Sequence, residues 1–368
     1  MGTRRVLSDW LAGRDNNFNL LRCIAASLVI YSHSFPFTRG FDARGAEVHA
    51  GDFLYDFAGI ESGRFAVQVF FIMSGFLVAQ SWENSRSWRR FAAARVLRIF
   101  PGLVACVLLL AFALGPIFTT LPLTDYFTHP QLYRFIATDT TLARVRLEYC
   151  LPGVFEDNTY RCALNIPHWT LPWEVMMYIA LGLLGIAGLL ARRALVLVAT
   201  IATYAAFRVL VDRYGVNDWH VIYPLSFGSF FFFGTLLWLY RDRVPVAGAS
   251  LVAVLLVLLA AMGTMQQHWP GRVLYVPLLG YVVIGLALVP GGAIRAYNRL
   301  GDYSYGIYIY GFAVQQTLST LFPRLGAYGL TLASLVAVLF VAVPSWHLLE
   351  KRALTLKNRV PAGEAAVA

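Results

Sequence analysis

Ten stretches of this chain are each long and apolar enough to cross a hydrocarbon core, and they leave little sequence for anything else. They run, with soft edges, over about 20–37, 65–82, 96–118, 170–190, 194–211, 221–240, 247–264, 273–290, 303–322 and 327–348. A spanning helix needs roughly 20 mostly apolar residues, because in lipid every backbone polar group must be satisfied within the protein. Membrane β-strands would alternate apolar and polar residues with period two, and these runs do not. Turn or charge punctuation separates the runs, as at Ala191-Arg192-Arg193, Arg241-Asp242-Arg243-Val244-Pro245 and Val289-Pro290-Gly291-Gly292. Composition agrees. The 368 residues are 58% hydrophobic and 14% charged, whereas soluble domains run at about 45–50% and about 25%. Such a chain is also too apolar for disorder. Its net charge of +10 does not form the basic stripes on a polar domain that a nucleic-acid binder would show, so nucleic acid is not an expected partner.

The basic residues give the orientation. With the N-terminus placed in the cytoplasm, eighteen of the 30 Lys and Arg fall on the inner side and ten on the outer. Seven of those ten lie in the two longest outer loops, where loop charge constrains topology least. The other two, Arg22 and Arg208, fall inside predicted helices. The sequence therefore predicts an all-α, polytopic integral membrane protein of about ten transmembrane helices with both termini cytoplasmic. A cytoplasmic tail over 1–15 precedes a membrane domain over 16–357, whose long extracytoplasmic loop is 119–168. A disordered tail over 358–368 follows. Arg4-Arg5 resembles a twin-Arg signal, but Asp9, Arg14 and Asp15 stand where its apolar core would be, so no cleaved leader is expected. No internal repeat is visible, which gives no support to a transporter built of inverted halves.

Four cysteines divide into two kinds. Cys23 and Cys106 fall in predicted spans and read as packing residues. Cys150 and Cys162 flank Leu151–Arg161 in the 119–168 loop. If that loop faces an oxidising compartment, one reading is a disulfide contributing about 3 kcal/mol to loop order; the other is two free thiols. No histidine stands beside them at ligand spacing, so no metal site is expected.

An ionisable side chain at the middle of a spanning helix costs about 2.5–3.5 kcal/mol, so each one asks for a reason. Arg22 and His33 lie eleven residues apart in the first span, a spacing that puts both on one helix face about 16 Å apart. A snorkelling arginine and a capped outer-end histidine would produce the same pattern. Glu174, in Trp169-Thr170-Leu171-Pro172-Trp173-Glu174, must either pair with a cation or take up a proton. Arg86, Arg89, Arg90, Arg95 and Arg98 cluster on the inner side of the second and third spans. Arg95 and Arg98 are i, i+3 neighbours, a fork suited to phosphate oxygens. Ordinary inner-side anchoring explains the cluster's existence but not its density.

Taken together, the motifs resemble a known family. Asn19-Leu20-Leu21-Arg22 with His33, Phe70-Phe71-Ile72-Met73-Ser74-Gly75-Phe76-Leu77, and Arg95-Val96-Leu97-Arg98-Ile99-Phe100-Pro101 occur in order. The Trp169–Glu174 segment, Gly301-Asp302-Tyr303-Ser304-Tyr305-Gly306-Ile307-Tyr308 and Glu350-Lys351 follow. Over about residues 16–357 the chain resembles the integral membrane acyltransferase-three family, O-acetylases of O-antigen, peptidoglycan and exopolysaccharide. Two departures bear on the acceptor rather than the chemistry. Ile309-Tyr310-Gly311-Phe312 stands where many relatives have a histidine, and Ile166-Pro167-His168 leads into Trp169 in place of small residues.

The resemblance implies transfer of an acyl group, usually acetyl, from cytoplasmic acyl-CoA to a glycan hydroxyl. It makes His33 the essential histidine with Arg22 as its partner, and it matches Arg95, Arg98, Ser74 and Gly75 to the donor-binding motifs. His33 is the one residue of the first span that titrates near neutrality and is assigned as general base. Covalent acyl-histidine chemistry stays open. Glu174 completes the catalytic set by orienting His33 or Arg22. Trp169, Tyr305 and Tyr308 are the expected substrate contacts, with Ser74 and Tyr305 placed to donate to the thioester oxygen. Acetyl-CoA or another acyl-CoA is then a co-substrate, with no permanently bound cofactor and no metal. The other partners are the lipid bilayer and a glycan or lipid-linked saccharide, such as lipopolysaccharide, at the bacterial inner membrane. Two alternatives stand beside this. One is an acyltransferase acting on a small hydroxylated metabolite or lipid. The other is a transporter of a lipid-linked sugar or small solute, suggested by the ten spans and aromatic-rich helices such as Phe230–Phe233.

Overall fold

The computed structural model describes residues 5–11, 15–85 and 87–360. Arg4, Arg14 and Arg86, used above in the charge distribution, lie outside the described residues, as do positions 361–368 of the expected disordered tail. Helices supply the regular structure of the described residues. α1 (Phe18–Arg39), the short α2 (Phe53–Ala58), α3 (Ser62–Ser85) and α4 (Trp88–Leu109) come first; α4 runs through a π turn at Leu110–Leu114 into α5 (Gly115–Phe118). The 119–168 segment, called the outer segment after the side expected for it, carries α6 (Leu123–Thr128) and α7 (Pro130–Thr141). A 3-10 turn at Ile166–Thr170 then enters α8 (Leu171–Ile186), followed by α9 (Arg193–Asp212), α10 (Trp219–Leu239), α11 (Gly248–Thr264) and α12 (Trp269–Leu288). α13 (Ser304–Leu321) precedes α14 (Ala327–Pro344), which continues through a second π turn at Ser345–Glu350 into α15 (Lys351–Thr355).

The chain is a polytopic membrane protein, but its span count differs from the ten expected. Among the described residues, eight helices are long and apolar enough to cross a membrane: α1, α3, α4–α5, α8, α9, α10, α12 and α14–α15. α11 is apolar but only 17 residues long. α13 has the length and lacks the hydropathy, because Tyr305, Tyr308, Tyr310, Gln315 and Gln316 interrupt its apolar residues. The reason is its position. Twelve of its 18 residues are buried, and it packs between α1 and α14. A helix enclosed by protein has its polar groups satisfied by neighbours, so it need not look like lipid. α9 is the opposite case, with only Val196 and Thr200 buried along 20 residues.

Helices in a bilayer gain little hydrophobic energy from one another and associate through close packing and interhelical hydrogen bonds. The α3–α10 contact shows this. Gly75 faces the Phe231 backbone and Gly234 faces the Ile72 backbone, each so closely that a Cβ would collide with main chain. Thr235 on α10 also donates its hydroxyl to the Gly75 carbonyl, at 3.2 Å. A second junction is built on Asp52, which has no exposed surface. Its carboxylate accepts from the backbone N–H of Leu54 and Ser62 and from the hydroxyls of Ser32 and Ser62. It thus caps α2, holds the start of α3 and ties both to α1.

The 119–168 segment, expected as a loop, is a packed cap. Tyr126, Leu132, Phe135, Leu151 and Val154 are buried in it, and Tyr126 donates to the Ala111 carbonyl at 2.7 Å. Cys150 and Cys162 are bonded, with Cα atoms 4.9 Å apart. Within the ring they close, Asn158 donates to Gln316 on α13, and Thr159 donates to the Phe37 carbonyl on α1 at 2.9 Å. At the opposite end, Leu7 is buried where the N-terminal segment pairs with the α10–α11 connection, Leu7 N–H donating to the Val244 carbonyl at 3.0 Å.

Because nothing at the α3–α10 contact can yield except backbone, Gly75→Ala is expected to destabilise the protein by about 1–3 kcal/mol or more. The thermal midpoint of the detergent-solubilised protein is the readout. A wild-type midpoint for the variant would show that the two helices are not in this contact.

Candidate active site

α1 carries an ionisable side chain near each end, and the structure places the two in different cavities. Arg22, near its start, lines an inner cavity of about 260 Å³ together with Ser74, Arg95, Arg98, Glu174, Tyr178, Tyr305 and Lys357. His33, near its other end, lines an outer cavity of about 700 Å³ with Glu47, His49, Glu61, Arg64, Gln68, Trp169, Tyr223, Arg208 and Arg272. Val67, Thr170 and Tyr308 line both, so the cavities are separated there by a wall one side chain thick.

The inner cavity is organised by a residue that the motif reading quoted without assigning it a role. Asp302 accepts from Arg22 at 3.2 Å and from Arg98 at 2.7 Å, with only 7% of its side chain exposed. Gly301 precedes it with a φ of 127°, a backbone conformation that side-chain-bearing residues rarely adopt. The Ser304 hydroxyl donates to the second carboxylate oxygen. Burial alone would push the Asp302 carboxyl up, but the charges of Arg98 and Arg22 and the Ser304 hydrogen bonds hold it below the usual carboxylate range. With its folded-state value depressed, its contribution to stability is complete at neutral pH. It is lost only as the pH falls below the ordinary range and through that lowered value.

Arg95 points into the same cavity over the rings of Phe91 and Tyr178. Its Nη2 donates to Ser81, while its buried Nε has no hydrogen-bond partner. Arg98 lies over the Tyr305 ring, 5.6 Å from its centroid. Glu174 accepts from the Ser74 hydroxyl at 3.2 Å and from Tyr178. These partners replace the His33 or Arg22 expected for it, and His33 belongs to the other cavity. Tyr305 lines the inner cavity, but its hydroxyl is committed to the Ile99 carbonyl at 2.8 Å. Gly75 does not line the cavity; its missing side chain is what lets α10 approach.

In the outer cavity the His33 ring stands edge-on to Phe312, with centroids 5.4 Å apart, and its buried Nδ1 has no partner. Trp169 packs against Tyr223 and Phe227, at 4.6 and 5.6 Å, and gives the cavity an aromatic floor. Glu47 and His49, from the connection after α1, face His33 across the space and are paired at 3.0 Å. Burial would raise the Glu47 carboxyl, but the His49 hydrogen bond and nearby His33 leave it below its ordinary value. Sequence reasoning missed this pair. The signal was available in the density of His, Asp, Glu and Arg between positions 44 and 64. The expected substrate contacts divide: Trp169 faces the outer cavity, Tyr305 the inner, and Tyr308 both.

The sequence profile of a family described as "Acyltransferase domain" matches residues 15–349. The chain is 29% identical over 355 residues to the "O-acetyl transferase" of Shigella phage Sf6, covering 93% of this chain and 97% of that protein. It is 27% identical over 387 residues to "Nodulation protein 10" of Rhizobium leguminosarum bv. viciae, covering 97% and 98%. No solved structure matches the chain significantly.

Asp302→Ala is expected to leave two neighbouring guanidinium groups without their counter-charge. Removing one partner of a buried ion pair costs about 3–5 kcal/mol. Arg22 and Arg98 keep 21% and 18% side-chain exposure, which places the loss at the lower end of that range. Thermal unfolding in detergent measures it. Asp302→Asn, which keeps acceptor capacity but not the charge, should lose somewhat less, and wild-type stability in Asp302→Asn would show that the charge is irrelevant.

Proposed function

The chain belongs to the acyltransferase family whose profile it matches over residues 15–349, and we propose that it is an O-acetyltransferase acting on a saccharide hydroxyl. The observation that carries this reading is the meeting of two chemically different cavities at Val67, Thr170 and Tyr308. The inner one holds three arginines, the residue type suited to phosphate groups, of which coenzyme A carries three. The unpartnered Nε of Arg95 is a donor held ready for such a ligand. The outer one combines the Trp169, Tyr223 and Phe227 rings with charged and amide groups at its rim. Sugar rings, with apolar faces and hydroxyl edges, fit such a surface. The likeness to a phage protein described as an O-acetyl transferase supports acetyl as the group transferred.

On this reading acetyl-CoA enters the inner cavity thioester-first, bringing its carbonyl to the Thr170–Tyr308 wall. The acceptor hydroxyl lies in the outer cavity beside His33. Its oxygen attacks the thioester carbonyl, forming the C–O bond as the C–S bond breaks. His33 takes the hydroxyl proton, and the thiolate leaves into the inner cavity, where it is protonated to the free thiol. Glu174, with Ser74 and Tyr178, is a fixed polar cluster beside the path and not the orienting partner of His33. Two observations support an inner cavity that faces the cytoplasm and an outer one that faces away from it. Basic residues concentrate at the connections on the Arg22 side. The Cys150–Cys162 disulfide, whose formation needs an oxidising compartment, lies on the His33 side. A bacterial inner membrane has this arrangement.

Native membrane vesicles supplied with radiolabelled acetyl-CoA test the reading through base-labile label on the glycan fraction. His33→Ala at normal membrane levels is expected to reduce labelling at least about 100-fold, the scale of general-base catalysis. Arg95→Ala should mainly raise the KM for acetyl-CoA, by about 10-fold or more for a lost charge-assisted contact. Label appearing on a small molecule or lipid would move the acceptor to that class. No label at all, or full activity without His33, would remove the mechanism.

A further inference from the structure

A small clasp joins the start of α8 to α13, and it is made twice over. The Tyr308 hydroxyl on α13 donates to the Pro167 carbonyl at 2.5 Å. One residue further along each segment, His168 Nε2 donates to the Ile309 carbonyl at 2.9 Å. The two bonds run in opposite directions between adjacent residue pairs, so neither segment can slide or rotate without breaking one of them.

His168 is held in this role from behind. The Asn165 amide nitrogen has two hydrogens. One goes to Asp139 on α7 at 2.5 Å, and the other to His168 Nδ1 at 2.9 Å. Nδ1 is therefore placed as an acceptor and Nε2 as the donor to the Ile309 carbonyl. Asp139, Asn165 and His168 have no exposed surface, and none of them lines either cavity. Both hydrogens of the Asn165 amide are used in this chain while its buried oxygen has no partner, so a single arrangement of donors and acceptors makes the chain directional.

What the clasp fixes is the wall between the cavities. The hydroxyls of Thr170 and Tyr308 are 2.5 Å apart and both belong to that wall. Thr170 is two residues beyond His168, and Tyr308 is the residue before Ile309. We propose that His168 is a positioning residue for acyl transfer, setting through the Ile309 carbonyl the register of α13 against α8 that places Thr170 and Tyr308 where the two substrates meet. The proposal rests on the acyl-transfer reading above. It requires His168 to touch neither substrate. A displacement of about 1 Å at reacting groups can cost on the order of 100-fold in rate, so a register held from one layer behind is enough to matter.

The test is the labelling assay with acetyl-CoA in native membranes, run as a donor titration. His168→Ala is expected to lower the apparent kcat about 10- to 100-fold while the KM for acetyl-CoA stays within about 2-fold, since the arginine cavity is untouched. His168→Gln can place its amide nitrogen where Nε2 stands and donate the same hydrogen bond, and it should recover most of the rate. Asn165→Ala, which releases Nδ1 but keeps the ring, should fall between wild type and His168→Ala. Wild-type kcat in His168→Ala at normal membrane levels would overturn the proposal. So would a folded His168→Gln as slow as His168→Ala, or a loss confined to KM. If His168→Ala does not accumulate in the membrane, the glutamine and Asn165 variants decide the matter by the same criteria. An active wild type with insensitive His168 variants sinks this proposal alone, whereas an inactive wild type sinks the acyl-transfer reading and this one with it.

Discussion

Asp302 is the point on which the inner half of the molecule depends. Two arginines, one from α1 and one from α4, converge on a single carboxylate at the entrance to α13. Without it the helices would bring like charges together in a region that solvates charge poorly. With it, Arg22 and Arg98 are held in fixed directions, and Arg98 is free to lie over the Tyr305 ring. Arg95 is supported differently, by aromatic faces and one serine, which leaves its Nε without a partner. The result is a cavity whose positive groups are oriented before any ligand arrives, so little is spent on ordering them afterwards.

Much of this plan was legible in the chain itself, and the part that was not has a common cause. Long apolar runs exposed most of the helices, because lipid-facing residues report their surroundings directly. α13 coincides with the 303–322 run, but it does not qualify as a lipid-facing span because its surroundings are protein: Gln315 and Gln316 are buried yet hydrogen-bonded to α1 and to the outer segment. The eleven-residue spacing of Arg22 and His33 put them at two heights on one helix, and both do lie on α1. It could not show that each height opens into its own cavity, since that depends on which neighbours pack between them. Glu174 was recognisable as a polar intruder, but its partners Ser74 and Tyr178 lie on α3 and one turn along α8. Asp302 stood in a quoted motif without a role because a carboxylate's significance is set by the cations brought to it from 204 and 280 residues away. Gly75 was matched to the donor-binding motif through the resemblance alone, and the helix contact it makes with the Phe231 backbone is visible only in the packing of α3 on α10.

The outer segment illustrates how a stretch that looks like a connection becomes structural. Its aromatic and aliphatic side chains pack on α4 and the π turn that follows, and its disulfide ring reaches across to α1 and α13. Tyr160 and Phe312 then close the end of the space around His33. Both the Asp139–Asn165–His168 chain and the disulfide belong to this one segment. It therefore fixes α13 at two heights, at Gln316 near the rim and at Ile309 near the middle.

Two cavities separated by one layer of side chains are a more demanding design than one open channel, and the proposed chemistry explains the demand. A thioester is exposed to hydrolysis wherever water can reach its carbonyl, and a continuous aqueous path would also leak solutes between compartments. On the proposed chemistry, a wall made of Val67, Thr170 and Tyr308 would keep bulk water from the thioester, and it leaves two hydroxyl groups at the point of contact. Hydroxyls bound to each other and to the Pro167 carbonyl are inert until a substrate offers a better partner. For such a wall to be thin without being leaky, its side chains must be fixed from behind. The glycine contacts between α3 and α10, the Asp302 ion pairs and the role proposed for His168 would all serve that single geometric requirement.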